Sequence, residues 1–160
     1  MLVLVLLAGF GCSSSQQTTI ESGAGIQSTA ESIDELLRLA QSRSGFEASA
    51  LSIQAMELML DDGQSTRAGL IAAQLPEPES LPGSYQFRYA LVRAEIALYR
   101  QQPEAALAWL RGDLIDSLEN PAQRVDDYYL LLAGAYRANE EFTEAINAYL
   151  QISASSDQAG

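Results

Sequence analysis

Glu104-Ala105-Ala106-Leu107-Ala108-Trp109-Leu110 and Glu144-Ala145-Ile146-Asn147-Ala148-Tyr149-Leu150 are two versions of one phrase. They share Glu, Ala, Ala and Leu in register, and Trp109 is matched by Tyr149. Apolar residues recur every three or four positions, which is the period of a helix and not of a strand. A longer apolar stretch with small residues precedes each copy, Ala94 and Ala97 before the first and Ala133 and Ala135 before the second. A weaker third copy runs from Arg67-Ala68 to Leu75, behind Ala50 to Met59. Matching Ala68, Ala105 and Ala145 puts the copies 37 and 40 residues apart, a spacing expected of stacked helical pairs. Small residues at those places would let two helices approach closely. Trp109, Tyr149 and the tyrosines are expected to fill the core rather than to bind a ligand.

The same period extends outward. Ile33, Leu36, Leu37 and Ala40 share one helical face, as do Leu51, Ala55, Leu58 and Met59. Tyr85, Tyr89, Val92, Ile96 and Tyr99 form a further stripe, and Val125, Tyr128, Leu132 and Ala135 another. Ser32-x-x-Glu35 and Ser44-x-x-Glu47 have the form of capping boxes, and Asn120-Pro121 places Pro at a first helical position. Gly63, the proline-rich stretch 76–83 and Pro103 punctuate the stripes. The spacing predicts an all-α fold, a tetratricopeptide-like stack of antiparallel hairpins with about seven helices, over residues 31–153.

Composition narrows the chemistry. Hydrophobic residues make up 48% of the 160 residues, enough for a real core. Acids outnumber bases 21 to 9, for a net charge of −12, which argues against nucleic acid or anionic lipid held through a basic patch. Every base is Arg. Without His there is no Ser-His or Cys-His nucleophile pair, and without Lys no phosphate-binding loop lysine or Schiff base. The acid pairs Asp61-Asp62, Asp126-Asp127 and Glu140-Glu141 are sequence neighbours, which do not face one another on a helix. They are expected to be solvated, with no catalytic, cofactor or metal site and no small-molecule substrate.

Cys12 is the single cysteine and follows a short apolar run, Met1 to Phe10, far below the ~20 residues of a membrane span. A small residue, Cys and a polar Ser/Gln/Thr tract resemble the end of a bacterial lipoprotein signal, in which the Cys thiol carries the lipid. Residues 1–11 are thus expected to be a signal, and 12–30, lipidated at Cys12, a flexible tether. Gly9 stands where such signals usually have Leu, and no basic residue precedes Cys12, so the natural start is expected upstream.

The Cys, the tether and the divergent hairpins together resemble the LpoA family of outer-membrane lipoproteins. The stretch Ala48 to Pro76 is similar to the first helical pair of that family's N-terminal domain, with Ala55, Leu60, Gly63, Ala68 and Gln74-Leu75-Pro76. Residues Tyr89 to Leu98, followed by Gln102 to Leu107, are similar to its second. The resemblance implies a non-catalytic regulator of peptidoglycan synthesis, lipid-anchored at the periplasmic face of the outer membrane. Its partner would be a class A penicillin-binding protein, contacted mainly by a C-terminal α/β domain that would follow the tail 154–160. The competing expectation is a tetratricopeptide-like adaptor in outer-membrane protein assembly.

Overall fold

A computed structural model describes residues 22–76, 80–110 and 125–156. These residues form seven helices and no strand. In chain order they are α1 (Ser22–Gln41), α2 (Gly45–Asp61), α3 (Ser65–Ala72), α4 (Gly83–Tyr99), α5 (Pro103–Leu110), α6 (Val125–Ala138) and α7 (Phe142–Ser156). Three hairpins, α2–α3, α4–α5 and α6–α7, stack behind α1, with the longer first helices (A) side by side and the second helices (B) behind them. The all-α stack anticipated from the spacing is therefore the fold.

One turn is built three times. Each A helix ends on a residue in the left-handed region, Gly63 at φ 73°, Gln101 at φ 58° and Glu140 at φ 62°. At all three turns, the N–H of that residue donates to the carbonyl three residues back (Leu60, Leu98, Arg137). The next N–H, of Gln64, Gln102 or Glu141, reaches five residues back to Met59, Ala97 or Tyr136. This pair of bonds is the Schellman closure, which satisfies carbonyls that a helix end would otherwise leave bare. The carbonyl of that second residue then accepts the first bond of the B helix, from Ala68, Ala106 or Ala145.

The turns correct the repeat register. Equivalent residues are Ala68, Ala106 and Ala145, separated by 38 and 39 positions, not Ala68, Ala105 and Ala145. All three true equivalents are buried, whereas Ala105 is exposed. The phrase EAxxA misled because Ala is common on both sides of α5: Ala105 and Ala108 face solvent, and Ala106 faces α4.

Two core clusters fill the stack. The first gathers Ile33, Ile53, Met56, Met59, Tyr89 and Val92, and the second Phe87, Leu91, Leu107, Leu110 and Tyr128. α4 feeds both, because its apolar residues occupy two faces. Tyr89 and Tyr128 are equivalent by the 39-residue step, and each ties an A helix to the preceding B helix. The Tyr89 hydroxyl donates to the Ala72 carbonyl at 3.0 Å, and that of Tyr128 to the Leu110 carbonyl at 2.7 Å. Burial, then the nearby Tyr129 and Tyr136, push the Tyr128 hydroxyl above the ordinary tyrosine value of 10.0.

Several local expectations change. α1 begins at Ser22, inside the stretch expected as tether, so Ser32-x-x-Glu35 lies mid-helix and caps nothing; Glu35 instead pairs with Arg38 one turn on. α7 continues to Ser156, into the expected tail. Ser44 is the N-cap residue of α2 in extended backbone, but its hydroxyl makes no capping bond. Tyr99 and Tyr149 are 65% and 39% exposed and do not fill the core. Gly63 breaks the chain after α2 as expected, with Asp62 as the C-cap residue. Asn120-Pro121 and Cys12 lie outside the described residues.

Candidate interaction groove

The A helices α2, α4 and α6 lie side by side and leave a groove of about 570 Å³ along one face. The repeat register builds its walls. Gln54, Val92 and Leu131 are equivalent positions on the three helices, and so are Leu91 and Leu130 on two of them. Glu57 on α2 and Glu95 on α4 are equivalent in the same way, and Arg88 on α4 is succeeded by Asp127 on α6.

Its chemistry is acid beside apolar. Glu57, Asp61, Glu95 and Asp127 line it with one base, Arg88. Arg88 forks onto Glu57, with Nε donating to Oε1 at 3.0 Å and Nη2 bonding Oε2. Their side chains are 26% and 18% exposed, so this pair is better shielded than those on the outer surfaces. The guanidinium also lies 5.1 Å from the Tyr85 ring centre, which holds it against α4. Leu91 and Val92 form the floor, and Leu130, 56% exposed, stands at the rim.

A second cleft, of about 540 Å³, opens between α1, α2 and α3, with Leu37, Phe46, Ile71 and Leu75 among its walls. Phe46 packs edge-on against Tyr85 at 4.8 Å between ring centres, which closes one side of it.

The acid pairs singled out in the sequence are not brought together. Asp61 and Asp62 sit at the C-terminal end of α2, Asp126 and Asp127 in the first turn of α6, and Glu140 and Glu141 in the last turn of the stack. Asp62 accepts a bond from Gln64 at 2.5 Å, and Glu141 one from Asn139 at 2.6 Å, so both act within their turns. Among the described residues, no group of three or more cysteines and acids could hold a metal ion. No helix among them is long and apolar enough to cross a membrane.

Arg93 and the two tyrosine hydroxyls went unnoticed in the sequence. Arg93 lies 4.5 Å from the Trp109 ring centre and donates to the Tyr89 hydroxyl at 3.0 Å, so Trp109, Arg93, Tyr89 and the end of α3 form one chain of contacts. The signal for the tyrosines was present, since Tyr89 and Tyr128 stand one repeat apart.

The profile of the LppC putative lipoprotein family matches residues 27–159, most of the chain and all three hairpins, and the chain belongs to that family. Neither a curated protein nor a solved structure matches it.

Proposed function

We propose that this LppC-family chain is the helical arm of an outer-membrane lipoprotein that regulates peptidoglycan synthesis without catalysing a reaction. The observation that carries this reading is the unbroken stack. Three hairpins with one shared turn, tied by Tyr89 and Tyr128, support the reading of a spacer. Family membership supports lipidation, and Cys12, the single cysteine of this sequence, is the residue we assign to it. Stable anchoring takes more than one acyl chain. Cys12 would then hold the arm at the membrane while a separate domain reaches a class A penicillin-binding protein.

Replacing Cys12 with Ala in the whole lipoprotein should move it from the membrane fraction to the soluble one. Unchanged membrane association, with no acyl mass on the wild-type chain, would end the anchor assignment. Purified residues 22–160 should leave glycan polymerisation and cross-linking by the synthase unchanged, whereas the whole lipoprotein should raise at least one of them. Stimulation by residues 22–160 alone would move the activating contact into the arm. No stimulation by either would favour the second reading, an adaptor in outer-membrane protein assembly, for which the groove across α2, α4 and α6 is the supporting feature.

A further inference from the structure

The first crossing of A helices is held by an ion pair, and the second repeats its positions with one sign reversed. Between α2 and α4, Glu57 takes the forked guanidinium of Arg88, which rests on the Tyr85 ring. The 38- and 39-residue steps carry Glu57 to Glu95 and Arg88 to Asp127. Both line the groove across α2, α4 and α6. The crossing of α4 and α6 therefore has two acids where its predecessor has an acid and an arginine.

Apolar surface lies beside these charges. Leu91 and Val92 floor the groove, and Leu130 stands exposed at its rim. With Asp61, four acids line it against the single Arg88, a surplus of three negative charges. Helix axes packed about 8–10 Å apart make three A helices span about 16–20 Å, the reach of about five or six extended residues.

We propose that the groove receives a basic peptide segment, with arginines or lysines alternating with apolar residues. One of its cations lies against Glu95 and Asp127 as Arg88 lies against Glu57, and its apolar side chains meet Leu91, Val92 and Leu130. Glu95 and Asp127 each already interact with a neighbour, yet a carboxylate offers about four lone-pair sites and accepts a further donor. Other occupants fit less well. A nucleic acid or an anionic glycan meets the surplus of like charge, and a second copy of this chain brings a further −12. An uncharged apolar segment would strip water from the carboxylates without replacing its hydrogen bonds. Such binding is a property of the arm itself, independent of the anchor at Cys12.

Fluorescence anisotropy with the full-length lipoprotein in detergent tests this, using a labelled six-residue peptide of alternating arginine and leucine. That peptide should bind, whereas peptides alternating glutamate with leucine, or arginine with glycine, should bind at least about tenfold more weakly. Glu95→Gln combined with Asp127→Asn should weaken the arginine–leucine peptide about tenfold. Glu104→Gln combined with Glu144→Gln removes the same two charges from exposed sites on α5 and α7, outside the groove, and should leave binding unchanged. Asp127→Arg should fill the seat from within, as Arg88 does, and abolish binding while the stack still melts cooperatively. Leu130→Ser should weaken binding at constant net charge. No binding of the arginine–leucine peptide, equal binding of either control peptide, or equal losses from the inner and outer charge pairs would each overturn the proposal. The comparison of peptides needs no variant, so it stands even where a substitution disturbs folding.

Discussion

α5 and α7 are the same helix in two settings. Both follow the same turn, both place an Ala at the start of the crossing (Ala106, Ala145), and both carry apolar residues one and four positions later. In α5 those residues, Leu107 and Leu110, are sealed in a core with α6; in α7 the matching Ile146 and Tyr149 face outward. Local sequence formed each helix alike, and the neighbour alone decided how much of it is buried. Stability in such a stack is therefore held at the interfaces between units rather than within each helix.

The largest contrast should come from truncating matched positions. Leu110→Ala should cost ~2–5 kcal/mol, since it empties a fully buried site, whereas Ile146→Ala should stay within about 0.5 kcal/mol in residues 22–160. Chemical denaturation of the two variants measures the difference, and equal losses would show that α7 is covered after all.

The repeat register can be tested by overpacking. Ala106→Leu should cost ~1–3 kcal/mol, because Ala106 is fully buried beside α4, while Ala105→Leu on the exposed face should leave the melting temperature nearly unchanged. The reverse order would restore the 37- and 40-residue alignment.

Next come the tyrosine ties. Tyr128→Phe should cost ~1–3 kcal/mol by leaving the Leu110 carbonyl without its partner, an interaction with no counterpart on α7. The same residue gives a pH signature. Its folded value is raised, so the folded state holds the phenol proton more tightly than the unfolded chain does. That stabilisation is fully present below the ordinary value of 10.0 and is lost as pH rises through the higher folded one. Denaturation midpoints should fall from pH 9 to pH 11 more steeply in wild type than in Tyr128→Phe; parallel curves would remove the tie from the account.

The smallest effects belong to the turns. Gly63→Ala meets no atom within 4 Å, so its cost should be the left-handed backbone alone, ~1–2 kcal/mol. Glu140→Gly should move the other way by up to about 1 kcal/mol, since Glu140 already bears that strain. A loss of stability in Glu140→Gly would mean that its side chain contributes more than its backbone costs.

Much of this was legible in the chain. The three-to-four spacing of Ile33, Leu36, Leu37 and Ala40, and of the stripes after it, comes from the helix itself, so the helices and their number could be read residue by residue. Gly63 announced one of the three turns because glycine adopts a left-handed backbone at little cost. The other two turns were hidden, since Gln101 and Glu140 carry no such mark and are held left-handed by the bonds that close the helix end. For the same reason the register slipped by one residue at Ala105, where solvent-facing and core-facing alanines are indistinguishable in composition. Tyr99 and Tyr149 were misplaced because periodicity tells which residues share a face but not whether anything covers it. The sequence alone thus determined the helices, the repeat and the scarcity of catalytic side chains, all of which depend on nearby residues and their types. Only the tertiary structure decided which alanine sits at each crossing, which tyrosine hydroxyls tie one repeat to the next, and how an acidic groove arises from residues a repeat apart, because these depend on packing between helices distant in the chain.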